Sequence, residues 1–351
     1  MLQNVNVLVM VLASLPSFAG SAWLTRLLVH SSSKLRILDI PNERSLHSTP
    51  VPRTGGLAIF LAITVASTWT TSVIEPDRPL GWLAVGALLI AVVSFIDDCF
   101  RLRALYRIVV HTAAAGLLLY GGFSFSLFDL PGLHWVWPYG LGVLFTLLFV
   151  VWMLNLYNFM DGMDGLAGGM TVFGFGVFAI VAWQGDNMLF SALSLVISAS
   201  ALGFLVFNFP PAKIFMGDVG SSTLGFLAAA FAVWGSMDGL IPFWASALLF
   251  SPFIADATVT LLRRLFQGRR VWEPHKTHYY QRLVRLGWGH RRTVLWEYCL
   301  MAGCAVSTLV ALELPVVFQW SILGLWTAFY GILMAFINRL EVKASRPTEF
   351  T

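Results

Sequence analysis

The chain has 351 residues, of which 58% are hydrophobic and 11% charged, with a mean hydropathy of +0.76. So few polar side chains cannot coat a soluble globule of this length, and the chain belongs in a bilayer. Its net charge of +4 is accompanied by no RNA- or DNA-binding module, which excludes nucleic acid as a partner.

A spanning helix takes roughly 20 mostly apolar residues. In chain order such stretches cover 5–28, 55–73, 80–96, 107–122, 139–154, 168–183, 189–207, 222–237, 241–262, 293–311 and 316–337. They predict an all-α polytopic membrane protein with about 11 transmembrane helices, or 10 where short stretches fail to span. The opening MLQNVN lacks Lys and Arg, and the apolar run behind it is longer than a signal core, so the first stretch reads as a retained helix. Cys99, Cys299 and Cys304 have neither metal-ligand nor disulfide-framework spacing and read as packing residues. With no low-complexity tract, repeat or long linker, residues 1–351 form one domain.

Positive charge sets the orientation. With the N-terminus outside, Lys34, Arg36, Arg44 and Arg53, then Arg101 and Arg103, Lys213, the basic residues of 263–292, and the tail with Arg339, Lys343 and Arg346 all lie on one side. The opposite loops hold a single basic residue, Arg78. The basic side is therefore expected in the cytoplasm, in segments near 30–54, 97–106, 155–167, 208–221 and 263–292, where it attracts anionic lipid and phosphate.

Those segments also carry acids: Asp97 and Asp98, Asp161 and Asp164, Asp218, Asp256 and Glu273. Carboxylates at the ends of apolar helices point to metal-assisted chemistry on a phosphate-bearing substrate. The adjacent Asp97 and Asp98 need cations or a metal to balance them, and Arg101 and Arg103 are at hand for salt bridges. Arg107 opens the next helix within reach of a phosphate at the headgroup level. The stretch from Asn155 through Asn158, Asp161 and Asp164 to Gly165 reads N-x-x-N-x-x-D-G-x-D-G. Polar residues three apart share one side of a helical turn, and the glycines allow close approach of a ligand. Asp218, between Gly217 and Gly220 just ahead of an apolar helix, reads alone as an N-cap. With Lys213 upstream it becomes a cation, a carboxylate and flexible backbone, which is what a magnesium diphosphate requires.

Together, the segments 41–56, Asp97-Asp98, 155–165, 211–221 and 252–256 resemble the polyprenyl-phosphate N-acetylhexosamine-1-phosphate transferases. That superfamily includes the peptidoglycan enzyme that loads phospho-MurNAc-pentapeptide onto lipid and the enzymes that initiate O-antigen and teichoic-acid linkage units. The resemblance runs from about residue 39 to 292 in the family's motif order, and the five ordered motifs are specific as a set. It implies transfer of a sugar-1-phosphate from a UDP-N-acetylhexosamine to undecaprenyl phosphate at a bacterial inner membrane, releasing UMP and requiring magnesium, with manganese as a substitute. Carried over by position, Asp218 and Asn158 look like metal ligands and Asp164 like the group that reads the uracil edge. From the residues themselves, Asn155, Lys213 and Arg107 are expected to bind substrate. Asp97 and Asp98 match a pair near the lipid phosphate or the metal, and Asp161 matches a further acidic catalytic position. A homodimer is compatible with the family pattern.

The last basic loop departs from that pattern. Where many members carry H-x-H-H, this chain has Pro274-His275-Lys276-Thr277-His278-Tyr279-Tyr280-Gln281-Arg282. His278 matches the first family histidine, and Tyr280 stands where another would be. The variant resembles the O-antigen-initiating branch that acts on acetamido-6-deoxyhexoses, with His275, His278 and Arg282 expected at the sugar phosphate. A phosphate monoester has its second pKa near about 6, so the acceptor is already nucleophilic. Direct in-line attack is expected, with a covalent aspartate of the Asp97-Asp98 pair as the competing route. A secondary transporter is the alternative class, but its site belongs near the bilayer midplane in repeated halves.

Overall fold

A computed structural model describes residues 2–30, 37–41, 49–270 and 275–345. Asn42, Arg44, Ser45 and His47 of the first motif, along with Lys34, Arg36, Glu273, Pro274 and Arg346, lie outside the described residues.

The apolar stretches become helices: α1 (Leu2–Val29), α2 (Gly55–Val73), α3 (Gly81–Phe100), α4 (Ala104–Tyr120), α5 (Tyr139–Met160), α6 (Leu166–Gln184), α7 (Met188–Asn208) and α8 (Gly217–Met237). They continue as α9 (Phe243–Leu249), α10 (Ser251–Phe266), the short α11 (Tyr279–Leu283), α12 (Gly289–Glu313) and α13 (Val316–Ser345). Among the described residues nine helices are long and apolar enough to span, and the bent pair α9–α10 brings the number to 10. This is the all-α polytopic membrane architecture the composition calls for. Two short antiparallel pairings complete it, β1 (Leu38–Asp39) with β2 (Val51–Pro52) and β3 (Leu127–Leu130) with β4 (Leu133–Val136).

Three stretches differ from the sequence expectation. The 241–262 stretch is not one straight helix: the chain turns by 82° between α9 and α10. Pro252 stands in the first turn of α10, where its missing N–H is harmless, whereas continuing α9 through it would lose a ladder hydrogen bond. Second, α4 begins at Ala104 and has 17 residues, which falls short of a full span. Third, α8 starts at Gly217 rather than Ser222, so Asp218 sits inside its first turn instead of ahead of it. A carboxylate there complements the positive end of the helix dipole.

Burial ranks the helices. In α8, 94% of the spanning window is buried, against 6% in α13, so α8 is the central post and α13 faces lipid. α2, α3, α5 and α6 pack around α8, and small residues make this fit possible. A Cβ on Gly56 would lie 2.1 Å from the backbone nitrogen of Gly220, and one on Gly225 would lie 2.7 Å from the carbonyl of Met153. Backbone hydrogen bonds then tie the chain ahead of α2 to the chain ahead of α8. Phe215 donates to the Pro52 carbonyl at 2.7 Å, Gly55 to Phe215 at 3.0 Å and Gly56 to Met216 at 2.7 Å.

Overpacking a core costs about 1–3 kcal/mol. Gly56→Ala should therefore lower the thermal midpoint of the detergent-solubilised protein by several degrees. Gly176→Ala, where an added Cβ meets nothing within 4 Å, should leave it unchanged or raised. Equal midpoints for the two variants would show that the α2–α8 contact is not tight.

Candidate active site

Four helix ends meet where the acids lie. Asp97 and Asp98 end α3, Arg107 is in the first turn of α4, Asn158 is near the end of α5 and Asp218 opens α8. Arg107 reaches three of these side chains: its Nη2 donates to Asn158 Oδ1 at 2.9 Å, and its Nη1 lies 3.4 Å from Asp97 Oδ2 and 3.7 Å from Asp218 Oδ2. Asn158 Nδ2 donates to Asp218 Oδ1 at 2.8 Å and to Ser221 Oγ at 3.1 Å. The carboxylates of Asp97 and Asp218 are thus neighbours on the same guanidinium. Asp97 is further oriented by the Leu102 N–H at 2.6 Å.

Asp98 does different work. Although adjacent to Asp97, it is 4% exposed and its carboxylate lies against the backbone N–H groups of Asp218 and Val219. Its carboxylate thus caps the start of α8, with Arg53 Nε 3.5 Å away and an Arg53 guanidinium N–H on its carbonyl. Gly217 is required at this junction. Its φ is +72°, and a Cβ would fall 2.1 Å from the Arg53 carbonyl and 3.0 Å from Asp98 Oδ2.

Asp164 lies on the turn between α5 and α6 and accepts from the Ala212 N–H at 3.0 Å, with His290 Nδ1 3.0 Å from its other oxygen. Asn208 pins the same turn, accepting from Gly165 N–H at 2.9 Å and donating to the Ile214 carbonyl at 2.8 Å. Asp161 caps α5 between these groups. Burial, followed by the charges of Asp218, Asp98 and Asp164, raises its pKa well above the ordinary 3.8. Lys213 is exposed on the connection to α8. Asn155 is one turn deeper than Asn158, donating to the Val151 carbonyl at 2.7 Å and lying 3.4 Å from His111 Nδ1.

The variant histidine loop is anchored by Asp256 of α10. The Asp256 carboxylate accepts from the N–H groups of Tyr279 and Tyr280 at 2.9 and 3.0 Å and from Thr260 Oγ1 at 3.0 Å, and it lies 3.2 Å from His278 Nδ1. His278 is 2% exposed. Tyr280 is fully buried, and its hydroxyl donates to the Phe159 carbonyl at 3.2 Å, beside Asp161. Burial, then His278 and Arg264, lowers His275 to about 4, so its imidazole is neutral at pH 7. Arg282 turns to α13, bonding Asn338 at 2.7 Å and Glu341 at 2.6 Å.

The structure thus gathers Asp97, Asp98, Asn158, Asp161, Asp164, Asp218 and Arg107 at one end of the bundle. His275 and His278 stand on the loop behind Tyr280, and Arg282 points away. Arg53, Ser221, Asn208, His111 and His290 join the site without having been singled out for it. Local sequence offers little to find them, because each is an ordinary polar residue whose partner is remote: His290 and Asp164 are separated by 126 positions.

The donor set suits a hard divalent ion. Two neighbouring carboxylates, Asp97 and Asp218, share one guanidinium, with an amide oxygen beside them. No three His, Cys, Asp or Glu side chains among the described residues form a closed cage. An ion that keeps waters and takes substrate phosphate oxygens needs only one or two carboxylates.

These features define a polytopic membrane protein with a cluster of acids around one arginine at one bundle end. Residues 80–236 match the model of glycosyl transferase family 4. The chain is 31% identical over 320 residues to a probable undecaprenyl-phosphate N-acetylglucosaminyl 1-phosphate transferase of Bacillus subtilis, covering 90% of this chain and 89% of that protein. It is 33% identical over 313 residues to a decaprenyl-phosphate N-acetylglucosaminephosphotransferase of Mycobacterium leprae, covering 79% and 78%. With an undecaprenyl-phosphate alpha-N-acetylglucosaminyl 1-phosphate transferase of Yersinia pestis it shares 28% over 309 residues, covering 84% and 82%. The chain belongs to the polyprenyl-phosphate N-acetylhexosamine-1-phosphate transferase family.

Between the ordinary 3.8 and its raised folded value, Asp161 keeps a proton that the unfolded chain releases. Stability therefore falls as pH rises across that window. Asp161→Asn abolishes the ionisation, so with chelator present its thermal midpoint should exceed that of the wild type by a margin that widens from pH 5 to pH 8. A margin independent of pH would show that Asp161 ionises normally.

Proposed function

We propose that this protein transfers N-acetylhexosamine-1-phosphate from a UDP-sugar to undecaprenyl phosphate, releasing UMP. The product would be the first lipid-linked intermediate of O-antigen or a related envelope polysaccharide, made at the cytoplasmic face of a bacterial inner membrane. The observation that carries this reading is the convergence of Asp97, Asn158 and Asp218 on Arg107 at helix ends. That placement suits a lipid phosphate at the headgroup level and a nucleotide arriving from water. It does not suit the midplane site of a transporter. The names of the three relatives share N-acetylglucosamine, which supports it as the first sugar to test.

In this reading an oxygen of the lipid phosphate attacks the β-phosphorus of the UDP-sugar. The bond from that phosphorus to the bridging oxygen breaks, and its electron pair leaves with UMP. No proton transfer is required, because the monoester, with its second pKa near about 6, is mostly dianionic at neutral pH. Catalysis then rests on aligning two anions and neutralising their charge. Arg107 supplies a fixed positive charge, and Lys213 a mobile one from the exposed connection. Asp218, Asn158 and Asp97 would hold magnesium, or manganese in its place, and the ion would neutralise diphosphate oxygens. Asp98 positions Asp218 by holding the start of α8. A carboxylate has about four acceptor sites, so Asp164 keeps capacity for the uracil edge while bound to Ala212 and paired with His290. Asp256 and His278 position the loop that closes over Asp161.

The test is a panel of radiolabelled UDP-sugars, N-acetylglucosamine and its 6-deoxy analogues among them, incubated with undecaprenyl phosphate and the purified enzyme. Labelled lipid and UMP should appear in equal amounts, stop with chelator and return with magnesium. Asp218→Asn should lower turnover by about 100-fold or more while retaining the elution profile of the folded wild type. Full activity in that variant would remove Asp218 from the metal site. A sugar-phosphoryl enzyme trapped in the absence of lipid acceptor would replace direct attack with the covalent route.

A further inference from the structure

On the side of α11 away from Tyr280, a polar cavity of about 230 Å³ opens between α10, α11 and α13. Among the described residues that line it are six cationic side chains, Arg263, Arg264, Arg269, Lys276, Arg282 and Arg285, and one carboxylate, Glu341. Local geometry explains their convergence. Arg263 and Arg264 fall in the last turn of α10, and Arg282 and Arg285 lie three apart on one side of a helical turn. Like charges so placed repel unless an anion lies between them.

Arg282 sharpens this requirement. It is 3% exposed, and one nitrogen, Nη2, serves both Asn338 and Glu341. Its Nε and Nη1 are buried without a hydrogen-bond partner among the described residues. Buried donors left unmatched are costly, and a phosphate oxygen is the acceptor to which the guanidinium fork is shaped. Glu341, 44% exposed at its side chain, pairs with Arg282 through that one nitrogen.

We propose that this cavity is a second anion site, separate from the aspartate cluster, that binds the phosphate of an anionic membrane lipid. The separation follows from α11 itself: Tyr280 bonds the Phe159 carbonyl beside Asp161, whereas Arg282 faces α13. Two observations favour a lipid. The cavity lies at helix ends, where cationic pockets recruit anionic headgroups. Beside the cations, Leu262, Leu265 and Phe266 of α10 are 46%, 58% and 85% exposed, an apolar strip suited to acyl chains. A bound phosphate would tie α10, α11 and α13 together and thereby brace the loop that holds His278 and Tyr280.

The experiment uses native mass spectrometry of the full chain in detergent, titrated with phosphatidylglycerol or with zwitterionic phosphatidylcholine, with inorganic pyrophosphate as competitor. Wild type and Asp218→Asn should bind phosphatidylglycerol alike and in preference to phosphatidylcholine. A double variant, Arg269→Gln with Arg285→Gln, should bind it at least about tenfold more weakly, as two charge-assisted contacts are removed. Both arginines are exposed, so folding survives their replacement. Displacement by equimolar pyrophosphate assigns the site to a soluble phosphate, and resistance to it assigns the site to the lipid. Equal binding by wild type and the double variant, loss of binding in Asp218→Asn, or no preference between the two lipids overturns the proposal.

Discussion

The site depends on one guanidinium shared by two carboxylates and an amide. Arg107 stands between Asp97, Asp218 and Asn158, and a single positive charge cannot fully compensate two acids at the edge of a low-dielectric bundle. The remaining negative charge is what a divalent cation would offset in the proposed reaction. It also explains why helix ends far apart in sequence must be held firmly, since the acids would otherwise drive them apart.

That restraint comes from the backbone. The Asp98 carboxylate lies against the first N–H groups of α8, and the pairing of the 52–56 segment with Phe215 and Met216 fixes the same helix from the other side. α8 is buried almost throughout, so its first turn cannot drift. Asp256 plays the corresponding part for the histidine loop, accepting two backbone N–H groups at the start of α11. Asp98 and Asp256 are therefore positioning residues, whereas Asp97 and Asp218 remain directed at the opening, where Asp218 keeps 30% of its side chain exposed.

The fold class and most helix positions were legible because membrane burial imposes a one-dimensional signal, an apolar run of fixed minimum length. The signal weakens where a helix is broken or short. The 241–262 run gave no sign of an 82° turn beyond Pro252, and a proline alone does not specify an angle. The acidic motifs were legible as well, since carboxylates bordering apolar helices are costly without a task. Their division of labour was not. Asp97 and Asp98 are neighbours in sequence, yet one faces Arg107 and the other caps α8, because consecutive residues on a helix point in different directions. Likewise, the basic run near 263–292 read as a single charged loop, but α11 divides it into a face toward Asp161 and a face toward Glu341.

Composition and the placement of charge against apolar runs were enough to identify a polytopic membrane protein with acids at the ends of its helices, because both obey the bilayer's energetics directly. Which acids share Arg107, which lie against backbone, and where Arg282 and His290 find partners emerged from the packed helices alone. Those outcomes depend on distances between segments more than 100 residues apart, and on the direction each side chain takes once α8 is locked at the centre.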